Sequence, residues 1–343
     1  MELSKSAFII IALLFALVIC SAGCSKSPRE LQNNEEPSQS LKITGNYAGC
    51  AIGAFLEDGS PTSLEVVSYE AAISREAAVV MWFLDFTSSF SAIPCDMLYD
   101  HGIVPMIAWE PWIAPNGLDM TYSLDKIVSG LHDTYIRNFA LAIKSWGKPL
   151  LLRFAHEMNG NWYPWCGTNY GNSASTYIQA WRYVHATFEA LGVNNVSWVF
   201  CPMDISYPGD AWNTASNYYP GDAYVDWVGF DTYSMPETSY NSFDTLAAPI
   251  YASLSVYGKP IMIGEMSRDE PDPETSENGK SVWITETFNK IKGSSYQKIK
   301  LYIWFNKNKT EGKMRYWRMD NWPACRISFE AAMKDPYYIS IIH

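Results

Sequence analysis

The sequence predicts an α/β protein whose folded part is a single closed (β/α)8 barrel. Short apolar runs alternate with longer amphipathic stretches, which is typical of strands that alternate with helices. Eight such runs occur in a stretch of roughly 300 residues, which is the usual size of one barrel of this type. Eight parallel strands with helices between them favour a closed barrel over an open sheet.

The elements follow each other regularly along the chain. We expect helices over Leu131–Trp146 and Ala174–Leu191, and Gly192 ends the second of them. The eight strands are expected at residues 47–55, 77–86, 103–110, 149–157, 196–201, 225–233, 260–267 and 299–306.

Several of these strands end abruptly in polar or aromatic residues. These endings are Ala108-Trp109-Glu110-Pro111-Trp112, Ala155-His156-Glu157, Phe230-Asp231-Thr232-Tyr233, Gly264-Glu265 and Trp304-Phe305-Asn306. An ionised group at the end of a buried strand is costly if it is unpaired, so its repetition at one rim indicates a functional site. The carboxyl ends of the strands form the rim at which the chemistry of this barrel type takes place.

The first residues have the layout of an export signal. Lys5 precedes an apolar run from Ala7 to Cys20, and the small residues Ser21-Ala22-Gly23 lead to Cys24. The run is shorter than the roughly 20 residues that a membrane-spanning helix needs, and a transmembrane anchor is the alternative. The layout is similar to a lipoprotein signal, which implies that Cys24 is acylated. Ser21 replaces the Leu usual in such signals, so ordinary cleavage is a further alternative.

We therefore expect three segments. Residues 1–24 form a lipoprotein-type signal peptide, residues 25–44 a flexible polar tether, and residues 45–343 the folded domain. The tether has almost no apolar residue and cannot bury enough surface to fold. We expect an extracytoplasmic monomer that a lipid anchor holds at the cell surface or in the periplasm, or that is otherwise secreted.

Composition argues against two classes of partner. The net charge of -11 is unsuitable for nucleic acid, because phosphate binding needs basic surface. Five cysteines follow Cys24 without the short paired spacing of a zinc site, so no metal site is expected. Their odd number leaves at least one thiol free, and their pairing cannot be read from the sequence.

Glu157 and Glu265 are the candidate catalytic pair. Because side chains alternate along a strand, we expect Glu157 to face the same side as Arg153 and Ala155, and Glu265 the same side as Ile263. Both glutamates would then point inward at one rim. Hydrolysis of a glycosidic bond needs this arrangement: one carboxyl group protonates the leaving oxygen, and the other attacks the sugar carbon or activates water.

Two alternatives accompany this assignment. Glu157 and Glu265 could be structural ion pairs with Arg153 or Arg268. Glu110 and Asp231 are carboxylates at the same rim, and spacing alone does not exclude them from the catalytic pair. We rank these two second, as substrate contacts or as supporting hydrogen-bond partners.

Five segments of the folded region resemble glycoside hydrolase family 26, the family of β-mannanases and some β-glucanases. The segments are Met106–Trp112 (MIAWEPW), Leu151–Trp165 (LLRFAHEMNGNWYPW), Ala180–Arg182 (AWR), Asp226–Asp231 (DWVGFD) and Ile261–Glu265 (IMIGE). They span nearly all of the folded region in order.

The resemblance implies a retaining mechanism with Glu157 as acid/base and Glu265 as nucleophile. It also implies that His156 lies beside the acid, where its ring can bond the sugar or the nucleophile. Aromatic positions lining the sugar subsites match Trp162, Tyr233 and Trp304. The family needs no metal or organic cofactor for this chemistry.

Tryptophans are concentrated at the predicted strand ends, where we expect them to stack on sugar rings. Packing in the interior is the alternative for each of them. The tryptophans concerned are Trp109, Trp112, Trp162, Trp165 and Trp304.

The leading functional hypothesis is an endo-acting hydrolase of a β-linked polysaccharide, with β-1,4-mannan as the first substrate. Mixed-linkage β-1,3-1,4-glucan and β-1,3-xylan are the alternatives with the same mechanism. A surface protein that binds polysaccharide without cleaving it is the alternative of a different class. An inverting hydrolase is a further alternative. It also uses two carboxyl groups, which stand roughly 6.5 to 9.5 Å apart instead of about 5 to 5.5 Å as in a retaining enzyme.

Overall fold

A computed structural model of the chain describes residues 41–115, 117–235, 241–270 and 279–342. The predicted signal peptide, its Cys24 and most of the predicted tether lie outside these residues. The described chain forms a (β/α)8 barrel, which confirms the predicted fold class. No helix within the described ranges is long and apolar enough to cross a membrane.

Eight parallel strands form the barrel in chain order. Pairing of β1 with β8, from Ala51 opposite Leu301 to Phe55 opposite Phe305, closes it. The strands are β1 (Cys50–Phe55), β2 (Val79–Asp85), β3 (Val104–Glu110), β4 (Leu150–Phe154), β5 (Val196–Phe200), β6 (Trp227–Ser234), β7 (Ile261–Arg268) and β8 (Ile299–Phe305).

α-Helices follow every barrel strand except β5, which is followed by short 3-10 turns, and they cover the outside of the barrel. They are α1 (Ser63–Ile73), α2 (Ala92–Asp100), α3 (Leu124–Val128), α4 (Asp133–Trp146), α5 (Ala174–Ala190), α6 (Phe243–Ser255), α7 (Lys280–Ile291) and α8 (Pro323–Met333). A hairpin of β9 (Lys309–Glu311) and β10 (Lys313–Arg315) lies between β8 and α8, and β11 (Tyr338–Ile339) pairs with β1.

Alternation along the strands divides the apolar residues into two cores. One core fills the barrel interior and includes Met81, Met106, Leu151 and Met262. The other lies between the barrel and the helices. The direction of a strand side chain therefore decides whether it can reach the interior and the carboxyl-end rim or packs against a helix.

The segment just before β1 closes the amino-terminal end of the barrel. Ile43 is 4% exposed, and its carbonyl oxygen accepts a bond of 2.7 Å from the Trp227 indole. Its own N–H donates to Ser197 Oγ at 2.7 Å, and Lys42 pairs with Asp226. We expected residues 41–44 in the tether, but the burial of Ile43 and these bonds make the segment part of the folded domain.

Candidate active site

Glu157 lies beyond the end of β4, not on it. The strand ends at Phe154, and Ala155 and Glu157 adopt left-handed backbone conformations with φ of 46° and 53°. Ala155 packs in the outer core, so the expected alternation from Arg153 through Ala155 to Glu157 is wrong. A non-glycine residue in this region costs about 1–3 kcal/mol, and such strain is concentrated at functional sites. The N–H of Glu157 donates to Cys201 O at 2.8 Å, which fixes the turn.

Glu265 reaches the same rim because β7 contains a bulge. Phe230 pairs with Ile263, but Asp231 pairs with Glu265, so Gly264 is an extra residue in β7. Ile263 packs in the outer core, and the expectation that it shares a face with Glu265 is wrong. A bulge re-aims the side chain that follows it, which here turns Glu265 toward the interior.

The two glutamates line one cavity of about 420 Å³ at the carboxyl end of the barrel. Glu157 is 7% exposed and Glu265 is 5% exposed, so both carboxyl groups are largely withdrawn from water. The other lining residues are Trp112, Trp162, Tyr163, Met203, Tyr233, Met235, Lys309, Glu311 and Trp317.

Arg153 holds Glu265 and Asp231 from below the cavity. Its Nη1 donates to both oxygens of Asp231, at 2.8 and 2.7 Å, and its Nη2 donates to Glu265 Oε1. The Tyr233 hydroxyl donates to Glu265 Oε2 at 2.5 Å. Glu265 therefore does form the ion pair with Arg153 that was the alternative to a catalytic role. The same two bonds stabilise an ionised carboxylate and fix its direction, so the contact suits a nucleophile.

Glu157 is in a different electrostatic environment. Burial, followed by the charge of Glu265, raises the pKa of Glu157 to about 7. The Trp162 indole donates to Glu157 Oε2 at 2.7 Å, and this hydrogen bond lowers the pKa of Glu157. The pair thus contains one carboxyl group that keeps a proton near neutral pH and one that a cation holds, which is the asymmetry that acid/nucleophile catalysis requires.

His156 and Glu110 form a second polar layer beside the pair. Burial lowers the pKa of His156 well below its ordinary value, so its ring is neutral. Its Nε2 lies 4.0 Å from Glu110 Oε1, and its Nδ1 has no hydrogen-bond partner among the described residues. Burial raises the pKa of Glu110 to about 8, while the Trp112 indole donates to Glu110 Oε2 at 3.0 Å. Asp231 thus shares Arg153 with Glu265, and Glu110 accepts from the indole of Trp112 in the cavity wall; their roles as substrate contacts or supporting partners stay predictions.

Comparison with known proteins gives the family of the chain. The sequence model of glycosyl hydrolase family 26 matches residues 123–257. Endoglucanase H of Acetivibrio thermocellus is 32% identical over 304 residues, which cover 86% of this chain and 31% of that protein. The chain belongs to glycosyl hydrolase family 26.

Other relatives of this family 26 chain carry a different name. A mannan endo-1,4-beta-mannosidase of Bacillus subtilis is 32% identical over 137 residues, which cover 38% of this chain and 34% of that protein. The family 26 chain thus spans about a third of the length of these two curated relatives. A solved β-mannanase from Bacteroides ovatus shares the fold with a TM-score of 0.64 at 17% identity, over 89% of this chain and 93% of that one.

The predicted aromatic residues of the family 26 chain divide into three groups. Trp112, Trp162 and Tyr233 line the cavity. Trp165 lies behind it, stacked on Tyr163 with ring centroids 4.3 Å apart, and its indole donates to His156 O at 2.6 Å. Trp165 therefore supports the cavity wall and does not form it.

Trp109 and Trp304 are not in the cavity, and this corrects the expectation that they contact substrate. Both are fully buried between the barrel and the helices. Trp109 stacks on Phe139 of α4 at 4.3 Å, and Trp304 packs edge-on against Phe329 of α8 at 5.0 Å. The reason is alternation: their neighbours Glu110 and Phe305 point inward, so these two tryptophans must point outward.

Six residues of the cavity wall were not predicted. Tyr163 follows Trp162 in the β4 loop, Met203 follows β5 and Met235 follows β6, and the other three follow β8: Lys309, Glu311 and Trp317. Lys280 holds this segment in place by donating to the carbonyl oxygens of residues 316–318, at 2.8, 2.7 and 2.8 Å. Strand patterns carry no signal for such loop residues, although the aromatic and charged composition of 309–317 could have directed attention to them.

One group of possible metal ligands occurs among the described residues. Atoms of His156, Asp231 and Glu265 lie within 4.8 Å of one another. The guanidinium of Arg153 already binds both carboxylates, so a cation of the protein occupies the place beside them. These contacts favour a buried ion-pair network over a metal site.

Proposed function

We propose that this chain is a retaining, endo-acting glycoside hydrolase of a β-linked polysaccharide, with Glu157 as acid/base and Glu265 as nucleophile. The observation that supports the assignment is that the two carboxyl groups line one cavity in unlike environments. Burial raises the pKa of Glu157 to about 7, whereas Arg153 and Tyr233 both donate to Glu265.

In the first step Glu265 attacks the anomeric carbon, and Glu157 gives its proton to the bridging oxygen. The bond between the carbon and that oxygen breaks, the leaving sugar departs with the proton, and a glycosyl ester forms on Glu265. In the second step Glu157 takes a proton from water, and the water oxygen displaces Glu265. Glu157 is thereby protonated again and the free sugar keeps its original configuration.

The electrostatics of the cavity suit this cycle. In the first step Glu265 loses its negative charge as Glu157 gains one, so the repulsion that adds to burial in raising the pKa of Glu157 disappears. Glu157 can then act as the base of the second step. Tyr233 and Arg153 remain hydrogen-bonded to the nucleophile and hold it in line with the sugar carbon.

Mixed-linkage β-glucan and β-1,4-mannan are the two leading candidate substrates, and we place glucan first. The relative that aligns with 86% of this chain is named an endoglucanase, whereas the Bacillus subtilis relative named a mannosidase aligns with 38%. Mannan, which the sequence alone placed first, keeps the support of that relative and of the mannanases with the same fold. β-1,3-Xylan is a third candidate, because a β-1,3-xylanase of a Vibrio species is 26% identical over 152 residues.

Release of reducing sugar from barley glucan, glucomannan, galactomannan and β-1,3-xylan tests this proposal. We expect activity on barley glucan to exceed that on galactomannan. Proton NMR of the first product distinguishes retention from inversion. Binding of all four polymers without cleavage of any would instead favour a polysaccharide-binding surface protein.

We also propose that acylated Cys24 anchors the protein at an extracytoplasmic membrane surface. The proposal rests on the small residues before Cys24 and on the polar stretch after it. Metabolic labelling with a fatty-acid analogue should mark the wild-type protein but not a Cys24→Ser variant. Labelling of both proteins would exclude Cys24 as the attachment site.

A further inference from the structure

The loop after β5 places an exposed aromatic residue, Tyr207, next to Trp162 of the β4 loop at the acid end of the cavity. Trp162 is 36% exposed and Tyr207 is 50% exposed, and their rings meet edge to face at 6.1 Å. Trp162 is the residue that donates to Glu157. The aromatic surface therefore continues from the cavity wall onto the outside of the barrel.

Hydrogen bonds fix this loop to the turn that carries the acid. Asn159, two residues after Glu157, is 1% exposed. Its side-chain oxygen accepts from Met203 N at 2.9 Å, its side-chain nitrogen donates to Met203 O at 3.0 Å, and its carbonyl oxygen accepts from Tyr207 N at 2.9 Å. An aromatic ring on an anchored backbone loses little conformational freedom on binding, which favours affinity.

The two glutamates of the cavity have different aromatic neighbours. The Tyr233 hydroxyl donates to Glu265, whereas the Trp162 indole donates to Glu157. The side of the acid continues into Trp162 and Tyr207. The acid protonates the bridging oxygen, so the sugar that it faces is the one that leaves.

We propose that Tyr207, continuous with Trp162, forms a binding platform for the sugars on the leaving-group side of the cleaved bond. The ligand is the reducing-end part of a neutral β-linked polysaccharide chain. The apolar face of a sugar ring packs on the aromatic ring while its hydroxyl groups stay in water. This inference rests on the proposed hydrolysis, because the leaving side is defined by the acid.

The test uses an oligosaccharide of six sugars that is labelled at the reducing end. Loss of the platform weakens binding of leaving-side sugars, so in a Tyr207→Ala variant the chain should shift and be cut closer to its reducing end. We expect kcat/KM for the six-sugar substrate to fall about tenfold, and a smaller fall for a three-sugar substrate.

Two control variants separate sugar contact from loop damage. Tyr207→Phe keeps the ring and should retain the wild-type cutting pattern. Trp212→Ala removes another aromatic residue of the same loop, 48% exposed and bonded to Asp210, and should also retain it. An unchanged cutting pattern in Tyr207→Ala, or the same change in Trp212→Ala, would overturn the inference.

Failure of the proposed hydrolysis is recognised separately. A wild-type protein that cuts no polymer of the panel would refute the enzyme, whatever Tyr207 does. Retardation of wild-type and Tyr207→Ala proteins in gels containing barley glucan or glucomannan does not depend on cleavage. Equal retardation of the two proteins would refute the platform by itself.

Discussion

At the scale of single residues, the site depends on giving two glutamates different electrostatic environments. Glu265 has two donors, Arg153 and Tyr233, whereas Glu157 has the Trp162 indole and the repulsion of Glu265. The difference comes from neighbours, because the two side chains are chemically identical. Changes to those neighbours should therefore alter the reaction in predictable directions.

Glu265→Ala should abolish hydrolysis without unfolding the protein. Loss of the nucleophile removes the covalent step, and we expect kcat to fall by about 10⁴-fold or more. Circular dichroism and thermal melting should show a folded barrel. Near-normal turnover by this variant would remove Glu265 from the mechanism.

The value of kcat/KM should fall as the pH rises through about 7, because Glu157 must be protonated to act as an acid and its pKa is raised to that value.

The hydrogen bond from Trp162 lowers the pKa of Glu157, so Trp162→Phe should move the alkaline limb of this pH profile to higher pH. Trp112→Phe removes an indole bond from Glu110 instead and is the matched control. A shift of the limb to lower pH, or an equal shift in both variants, would contradict this account.

At the scale of secondary structure, two irregularities decide where the glutamates point. Strand alternation correctly places Glu110 at the interior rim, and a strict use of it would have placed Trp304 against a helix. Alternation fails at Glu157, where two left-handed residues turn the chain, and at Glu265, where β7 gains a residue. Their positions were predicted at the correct rim for the wrong local reason, since neither a bulge nor a left-handed Ala-x-Glu turn has a reliable sequence signal.

Gly264 in the bulge has a testable role. A methyl group at this position would lie 2.5 Å from Asp231 Oδ1 and 2.5 Å from Cys201 Sγ, so the network around Arg153 must shift. Gly264→Ala should cost about 1–3 kcal/mol of unfolding free energy. It should also lower kcat/KM by about 100-fold through misplacement of the nucleophile.

Gly209→Ala is the control for this substitution, because the nearest atom to its new methyl group would be 3.9 Å away. Denaturant unfolding and steady-state kinetics of both variants provide the comparison. Wild-type kinetics in Gly264→Ala would show that the network tolerates displacement.

At the scale of the whole molecule, the proposed catalytic residues and the segment that closes the barrel lie at opposite ends of it. The carboxyl-end rim holds the glutamates, and the amino-terminal end is closed by Ile43 against Trp227. The fold class was predictable because eight apolar runs and their spacing define the barrel. The closing segment was not, because a single apolar residue after a polar stretch carries little signal.

Ile43→Ala should lower stability without changing the chemistry. Removal of a buried isoleucine side chain costs about 2–5 kcal/mol, which a lower Tm would report. The kcat/KM per folded molecule should stay at the wild-type value, because the substitution lies at the far end of the barrel. Ile327→Ala, at a residue 58% exposed, is expected to change stability by about 0.5 kcal/mol or less. A loss of activity in folded Ile43→Ala protein would show that the closing segment also affects the active site.

The position of Ile43 also has a geometric consequence for a long, stiff substrate. The described chain enters at the closed base, where Leu41 N bonds Asn194 O at 3.2 Å, on the side opposite the glutamates. The segment that closes the base and the glutamates that line the cavity therefore lie at opposite ends of the described barrel. A polymer many times longer than the protein can lie across the open end without contacting Ile43 or the base that it closes.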